Sequence, residues 1–560
     1  MEAIAKKEKM ENPNLPKIIT CPSEMVALSM ADGYARVTGK AQAVIVHVDV
    51  GTQALGCALH NAHIARTPVL IFAGLCPSTL EGEERGTRTE FVNYLQDIPD
   101  QAAIVRQYCR YTNEIRSSNN VKQVVARALQ IASSAPKGPV YLYAARETLE
   151  RESKPPRLEP KFWKPIGPAA LPDEAVQEIS EALVSSKDPL IITGYTGRNE
   201  KAPSELVKLA DAIPGLRVLD TSMGDMCFPA NHPGWLSGKY SSHPSIPKAD
   251  CILVLDCDVP YVPVKCRPSS AAKVYHIDID PLKKSMAMYH IDAVGLWQAD
   301  SYTAIKQINA HLSRPEYVTT LEGLLESDSA VSRAQSHNQL LSDIAQAGMP
   351  ASGSPTPLTA ALIAAELKRS LPNSTTYAVE AVTNTASIYD QLRCTVPGSY
   401  LSSGATGLGW VGGASLGIKL ATMDKDGDAE NAIVTQIVGD GTYLFSAPSS
   451  VYWLSSRYRI PILTIILNNK GWNAPRVSMQ LVHPTGEGSR MSNRDLHISF
   501  DPSPDYAGIA KAAGGAMVWT GYAETAGDFA AVIKEAIREI MSGRTAVVEC
   551  KIRGMDPKME

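Results

Sequence analysis

The residues best suited to chemistry lie in two short motifs late in the chain, each of which follows an apolar run. The motif GDGT occupies 439–442, and the motif NN occupies 468–469. A glycine-rich turn lets backbone N–H groups approach a phosphate, and the start of a following helix favours anions. Asp440 offers a carboxylate oxygen and Asn469 an amide oxygen, which together with a backbone carbonyl suit octahedral Mg²⁺. Either motif alone could be only a turn or a strand end, but together they predict a site for a diphosphate and a metal ion.

The elements that must position these motifs form a pattern that occurs three times along the chain. Short apolar runs rich in β-branched residues alternate with longer amphipathic stretches, which predicts strands buried on both faces and helices between them. The sequence therefore predicts an α/β fold of three similar parallel-sheet domains. Two stretches rich in Pro or Gly divide the chain. The predicted divisions are a first domain at 1–150, a linker at 151–171, a second domain at 172–315, a linker at 316–357 and a third domain at 358–560.

Composition excludes several classes of protein. The 560 residues are 44% apolar and 20% charged, with a net charge of −4, which is typical of a folded protein and gives no basic excess for nucleic acid or an anionic membrane. The 10 cysteines form no CxxC pair and are predicted to be reduced thiols of a cytoplasmic protein. The apolar runs are too short to span a bilayer, so no membrane partner is expected.

The two motifs resemble the diphosphate and Mg²⁺ motif of thiamine-diphosphate (ThDP) enzymes. Nearly the whole chain is similar to one branch of that family, which comprises acetolactate synthase, benzoylformate decarboxylase and 2-hydroxyacyl-CoA lyase. The resemblance implies that 1–150 is the pyrimidine-binding domain, 172–315 the central domain and 358–560 the diphosphate-binding domain. The chain departs from the family by extra residues between the motifs, placed near 444–449, so the helix after the diphosphate turn is expected to begin irregularly.

The resemblance also implies which residues hold the cofactor. Asp440, Asn469 and the carbonyl of Gly471 would ligate Mg²⁺. Leu408 stands where the family places an apolar wedge that bends the cofactor, although it could equally be a core residue. Thr383 and Asn384 would contact the diphosphate, unless they only cap a helix. The implied cofactor-binding set is Glu24, Thr383, Asn384, Thr406, Leu408, Gly439, Asp440, Gly441, Thr442 and Asn469.

Two residues of the first domain are implied to be catalytic. Glu24 begins a predicted helix and matches the family's glutamate, which hydrogen-bonds the aminopyrimidine ring and promotes its imino form; on sequence alone it could be a surface residue that compensates the helix dipole. His47 ends a predicted strand where benzoylformate decarboxylases have an acid/base histidine, and its ability to change charge near neutral pH suits that role. The alternative is a histidine that is hydrogen-bonded at a strand end.

Two regions limit what the resemblance implies. Family members usually have a further helix and strand before the stretch corresponding to 18–20, so the first domain is predicted to lack its first strand, which would expose a sheet edge. The central domain has neither a full dinucleotide fingerprint nor the arginine-rich FAD segment of acetolactate synthases. FAD is therefore not expected.

The resulting prediction is a lyase or transferase that needs ThDP and Mg²⁺. It would decarboxylate a small 2-keto acid and either transfer the acyl group to a second carbonyl, as acetolactate synthase does, or release an aldehyde. Because the family shares each cofactor between subunits, a homodimer or homotetramer is implied. The alternatives are an acyl-CoA lyase or decarboxylase, a catalytically weak assembly subunit, and a nicotinamide oxidoreductase.

Overall fold

The structure is a computed structural model that describes residues 5–6, 9 and 16–555, apart from 155, 290, 326, 352–354 and 426–431. Three parallel sheets confirm the predicted fold class. The strands are β1 Gln42–Val46, β2 Val69–Leu75, β3 Tyr111–Glu114, β4 Val140–Ala145, β5 Pro189–Thr193, β6 Arg217–Asp220, β7 Trp235–Gly238, β8 Cys251–Leu255, β9 Lys273–Asp278, β10 Gly295–Gln298, β11 Thr376–Glu380, β12 Tyr400–Ser402, β13 Val434–Gly439, β14 Leu463–Asn468, β15 Val518–Ala523 and β16 Thr545–Lys551.

Helices connect these strands and cover the faces of the sheets. The α-helices are α1 Glu24–Thr38, α2 Val48–Gln53, α3 Gly56–Ile64, α4 Val92–Leu95, α5 Val121–Ser133, α6 Arg146–Glu150, α7 Asp173–Ser185, α8 Ala202–Ala212, α9 Ser245–Lys248, α10 Ser301–Leu312, α11 Pro315–Gly323, α12 Asp328–Ala347, α13 Ala360–Ser370, α14 Thr385–Leu392, α15 Trp410–Lys425, α16 Asp440–Phe445, α17 Pro448–Tyr458, α18 Asn473–Val482, α19 Glu487–Arg490, α20 Tyr506–Gly514 and α21 Ala526–Met541. None of the helices in the described ranges is long and apolar enough to cross a membrane.

The first sheet has four strands in the order β1-β2-β4-β3. Strand β1 lies at its edge, and the side chain of Ile45 on this strand is 78% exposed. The opposite face of β1 buries Val44 and Val46 against the helix that begins at Glu24. The absence of a first strand unit stays a prediction, and the polar residues 1–15 on which it partly rests lie largely outside the described residues.

The second and third sheets have six strands each, in the orders β10-β9-β8-β5-β6-β7 and β12-β11-β13-β14-β16-β15. In both sheets the chain reverses its direction of travel across the sheet, between β5 and β8 in the second and between β11 and β13 in the third. Ligands of open parallel sheets bind at such switch points, outside the carboxyl ends of the strands. The topology therefore marks two places for a site.

Arg36 on α1 ties the three domains together. It donates to the carbonyl oxygens of Ser402 in the third domain, at 2.5 Å, and of Gly224 in the second, at 2.8 Å. It also pairs with Asp225 at 3.0 Å and lies over the ring of Trp410 at 5.1 Å. A buried guanidinium with all these partners fixes the first domain against the other two.

Several segments differ from the sequence prediction. The predicted linker 316–357 contains α12 and most of α11. The polar segment 472–501 contains the helices α18 and α19. The helix after the diphosphate turn begins at Asp440 and is broken near the predicted extra residues, because α16 ends at Phe445 and Ala447, with a φ of 51°, separates it from α17.

Candidate active site

The predicted motifs meet at the switch point of the third sheet. Val438 on β13 is paired with Glu380 on β11 and with Ile466 on β14. The carboxyl ends of these three strands are therefore level. The GDGT turn and the NN motif lie side by side there, as the sequence predicted.

Asp440, Asn469 and Gly471 converge on one point. The Asp440 Oδ2 atom accepts the N–H groups of Asn469, at 3.2 Å, and of Gly471, at 3.1 Å. The Asn469 Oδ1 atom accepts the same Gly471 N–H at 3.2 Å. A carboxylate oxygen and an amide oxygen thus lie close together at Gly471, whose φ is 151°. Oxygen atoms of these two kinds are the ligands expected for Mg²⁺.

The electrostatics of Asp440 also fit a bound cation. Its side chain is 2% exposed, and burial raises the pKa of this carboxyl to about 6, although backbone N–H groups oppose the rise. Over the described ranges no lysine or arginine pairs with it. No cluster of three or more His, Cys, Asp or Glu side chains in those ranges could hold a metal ion. A metal here would therefore use one carboxylate together with amide and carbonyl oxygens.

The diphosphate turn is closed on one side by an aromatic ring. A Cβ atom on Gly441 would overlap the indole of Trp472, so only glycine fits there. The same test finds open space beside Gly439. The Thr442 side chain is buried in the first turn of α16. A phosphate oxygen could thus approach the turn from the side of Gly439.

Leu408 and Thr406 lie on the loop that precedes α15, residues 404–409, which we call the wedge loop. Both residues line a cavity of about 610 Å³ that opens between this loop and the strand ends of the second sheet. Leu408 is half-buried there, rather than a core residue. Ser222 and Asp258 line the opposite wall of the same cavity.

Thr383 and Asn384 lie in a 3₁₀ turn, Val382–Asn384, that follows β11. Asn384 stands at the N-cap position of α14, but its side chain makes no capping hydrogen bond. Thr383 is exposed. The neighbours Val382 and Thr385, which the sequence did not single out, line the cavity.

Glu24 and His47 lie together at the carboxyl end of the first sheet. Glu24 is the first residue of α1, where Ser23 accepts the Val26 N–H, and its Oε1 atom lies 3.4 Å from where a Cβ on Gly51 would stand. His47 precedes α2, is exposed and makes no side-chain capping bond. His47 is therefore open to solvent at the end of β1, whereas Glu24 is half-buried beside Gly51.

Family models of thiamine pyrophosphate enzymes match the chain in each of its domains. The N-terminal TPP binding domain matches residues 4–104, the central domain matches 176–299, and the C-terminal TPP binding domain matches 381–550. The chain belongs to the ThDP-dependent enzyme family. ThDP is its cofactor, and the family also uses Mg²⁺ to bind the diphosphate.

Two relatives and one solved structure support this assignment. The chain is 24% identical over 462 residues to benzoylformate decarboxylase of Pseudomonas aeruginosa, with 81% of this chain and 79% of that protein covered. It is 23% identical over 516 residues to a probable acetolactate synthase large subunit of Methanococcus aeolicus, with 88% and 79% covered. The structure of a ThDP-dependent 4-hydroxybenzoylformate decarboxylase from Rhodococcus jostii RHA1 has the same fold, with a TM-score of 0.73 at 21% identity over 95% of this chain and 92% of that one.

Three residues of this ThDP enzyme's site escaped sequence reasoning. Trp472 follows Gly471, but nothing in its neighbours along the chain indicates that its ring covers Gly441. Asn473 is the first residue of α18, directly after Trp472, and its buried Oδ1 atom has no hydrogen-bond partner among the described residues, which leaves it free to accept from a ligand. Glu380 could have been noticed as an acid at the end of an apolar strand, TYAVE.

Proposed function

We propose that this ThDP enzyme requires Mg²⁺ and decarboxylates a small 2-keto acid, then transfers the acyl group to a second carbonyl or releases an aldehyde. The observation that carries the proposal is the convergence of the Asp440 carboxylate and the Asn469 amide oxygen on the Gly471 N–H. When bound, ThDP supplies a nucleophilic carbon and an electron sink for cleavage next to a carbonyl.

On this proposal the third domain holds the charged end of the cofactor. Asp440, Asn469 and the carbonyl of Gly471 ligate the metal, whose positive charge offsets that of the diphosphate and of the buried carboxylate. Thr442, with Gly439 and Gly441 in the same turn and Thr383 and Asn384 in the 3₁₀ turn, would contact diphosphate oxygens. Leu408 and Thr406 would meet the middle of the cofactor from the wedge loop.

The first domain would supply proton transfer. Glu24 would hydrogen-bond the aminopyrimidine ring, and the exposed His47 would exchange a proton with the substrate. Both would act on the diphosphate site of a second copy, so the protein is proposed to be a homodimer or homotetramer. The exposure of His47 and of the apolar Ile45, two residues before it, supports a second copy at this surface.

The test of the cofactor requirement is calorimetry of ThDP binding with and without Mg²⁺. Tight binding that is lost in EDTA is expected, and no binding in Mg²⁺ would overturn the proposal. The loaded protein is then assayed against a panel of 2-keto acids, with and without aldehyde or keto-acid acceptors. Carbon dioxide release would identify the donor, and binding without any turnover on the panel would favour the catalytically weak assembly subunit instead.

A second candidate, an acyl-CoA lyase or decarboxylase, is favoured by the cavity of about 610 Å³ at the strand ends of the second sheet. A nucleotide group needs a groove at such a switch point. Arg110 and Lys137 line this cavity and could attract phosphates. Competition by coenzyme A for substrate turnover distinguishes the two candidates, because a small-acid enzyme is not inhibited.

A further inference from the structure

Glu380 is a buried acid at the switch point of the third sheet. Glu380 is the last residue of β11 and is only 3% exposed. Over the described ranges, no lysine or arginine pairs with its carboxyl group. Burial raises the pKa of this carboxyl to about 8, although backbone hydrogen bonds oppose the rise. Burying a carboxyl group costs free energy unless hydrogen bonds compensate for the loss of water, so the partners of Glu380 indicate its role.

Those hydrogen bonds hold the junction between the wedge loop and α15. The Glu380 Oε1 atom accepts the Gly409 N–H at 3.1 Å, and its Oε2 atom accepts the Val411 N–H at 2.8 Å. These N–H groups end the loop and begin the helix, where the backbone has no partner within the helix. One side chain therefore fixes both ends of the junction.

Gly409 is also fixed from its other side. Its φ of 98° is a left-handed conformation that favours glycine, and a Cβ there would overlap the carbonyl oxygen of Phe445. Phe445 is the last residue of α16, the short helix that begins with Asp440. The end of the wedge loop is thus clamped between Glu380 and the helix of the metal site.

The helix that starts at this junction connects to the catalytic glutamate's helix. Trp410, the first residue of α15, donates its Nε1–H to Asp32 at 2.7 Å, and Asp32 also accepts the Thr67 hydroxyl at 2.7 Å. Asp32 is fully buried on α1, the helix that begins with Glu24. The junction held by Glu380 therefore lies between the helix of the first domain and the wedge loop of the third.

We propose that Glu380 is a positioning residue that holds the wedge loop so that Leu408 meets the bound cofactor. This inference rests on the proposed function, in which Leu408 contacts ThDP. Glu380 lines the same cavity as Leu408, but in this role it acts through the loop and not on a reacting atom. It acts by fixing two backbone N–H groups whose positions set the direction of the loop.

The primary test is E380A, which removes both acceptors. Hydrogen exchange of the cofactor-free protein is expected to accelerate about tenfold across 404–412, because the Gly409 and Val411 N–H groups lose their acceptors and no longer fix the loop. Affinity for ThDP in Mg²⁺ is expected to fall about tenfold by calorimetry. E380Q keeps one acceptor and is expected to fall between E380A and the unmodified protein on both measurements.

The matched control is D250A in the second domain. Asp250 also accepts two backbone N–H groups, those of Lys187 at 2.9 Å and Asp188 at 3.0 Å, but it lies away from the wedge loop. D250A is expected to leave exchange at 404–412 and ThDP affinity unchanged. A further readout separates positioning from simple loss of binding: at saturating ThDP, kcat of E380A stays about tenfold low, because an unfixed loop still presents Leu408 wrongly.

Three results would overturn the inference. They are unchanged exchange at 404–412 in E380A, faster exchange with unchanged ThDP affinity, and full recovery of kcat at saturating ThDP. If E380A does not fold, the same measurements on E380Q decide the question in the same way. An unmodified protein that fails to bind ThDP would instead overturn the proposed function, and that result is obtained before any variant is made.

Discussion

The first and third sheets are both parallel, but they differ in the number of strands and in how exposed their edges and site residues are. The third sheet has six strands, and its β11, β13 and β14 bring the metal donors, the diphosphate turn and Glu380 to one level within a single chain. The first sheet has four strands, and its edge strand β1 leaves Ile45 78% exposed beside an exposed His47. On the proposed function, one chain by itself provides the residues for the diphosphate, whereas the end of β1, with the exposed His47, is open to another molecule. We infer that a second copy supplies what the first domain lacks.

The proposed division of roles between the first and third domains is tested most strongly by E24Q. If the first domain contributes only proton transfer, turnover is expected to fall about a thousandfold, because the amide cannot replace the carboxyl in proton exchange. Affinity for ThDP should change far less, since the diphosphate half-site is intact. Steady-state kinetics and calorimetry measure the two effects, and turnover within a few-fold of the unmodified protein would remove Glu24 from the mechanism.

The opposite half is tested by D440A. Loss of the carboxylate is expected to weaken Mg²⁺-dependent ThDP affinity about a hundredfold, because a charged metal ligand is lost. The control is D505A in the same domain, whose carboxylate caps α20 by accepting the Gly508 N–H at 2.7 Å. Calorimetry that found equal affinities for D440A and the unmodified protein would exclude Asp440 from the metal site.

The outward-facing surface is tested by V50D. Val50 on α2 lies beside His47 and is 47% exposed, so a charge there is expected to weaken association of the copies about tenfold. The control V264D places the same charge in the second domain, where Val264 is 92% exposed. Sedimentation velocity compares their dissociation constants, and equal values for the two variants would place the interface elsewhere.

The smallest expected effect concerns the stability of the third domain. Because burial raises the pKa of Glu380 from 4.5 to about 8, ionising this acid costs the folded state more than the unfolded one. The stability that the neutral acid contributes is complete below pH 4.5 and is lost as the pH rises through about 8. E380Q cannot titrate, so its free energy of unfolding should rise relative to the unmodified protein over that range. Urea denaturation of the two cofactor-free proteins measures this difference in the free energy of unfolding. A difference that did not change with pH over that range would contradict the raised pKa of Glu380.

The sequence predicted what short-range patterns encode. The continuous β-branched runs at 434–439 and 463–468 predicted β13 and β14, which the structure confirms, whereas the metal donors in their terminal GDGT and NN motifs stay a prediction. Short strands such as β7 and β10 have too few residues to show a periodic pattern. The Pro- and Gly-rich residues at the end of 316–357 predicted a linker, but most of this segment is helical. The roles of Glu380 and Trp472 depend on register and packing between distant segments, which no local pattern records.

Complementation between E24Q, which is expected to lose turnover, and D440A, assayed at a ThDP concentration too low to load it, tests the shared site most directly. E24Q and D440A are mixed, exchanged to equilibrium with ThDP and Mg²⁺, and assayed on the identified 2-keto acid. If each site combines Glu24 of one copy with Asp440 of another, half of the dimers are mixed and one of their two sites is intact, so about a quarter of full activity returns. Activity that stays at the level of the separate variants would contradict a site shared between copies.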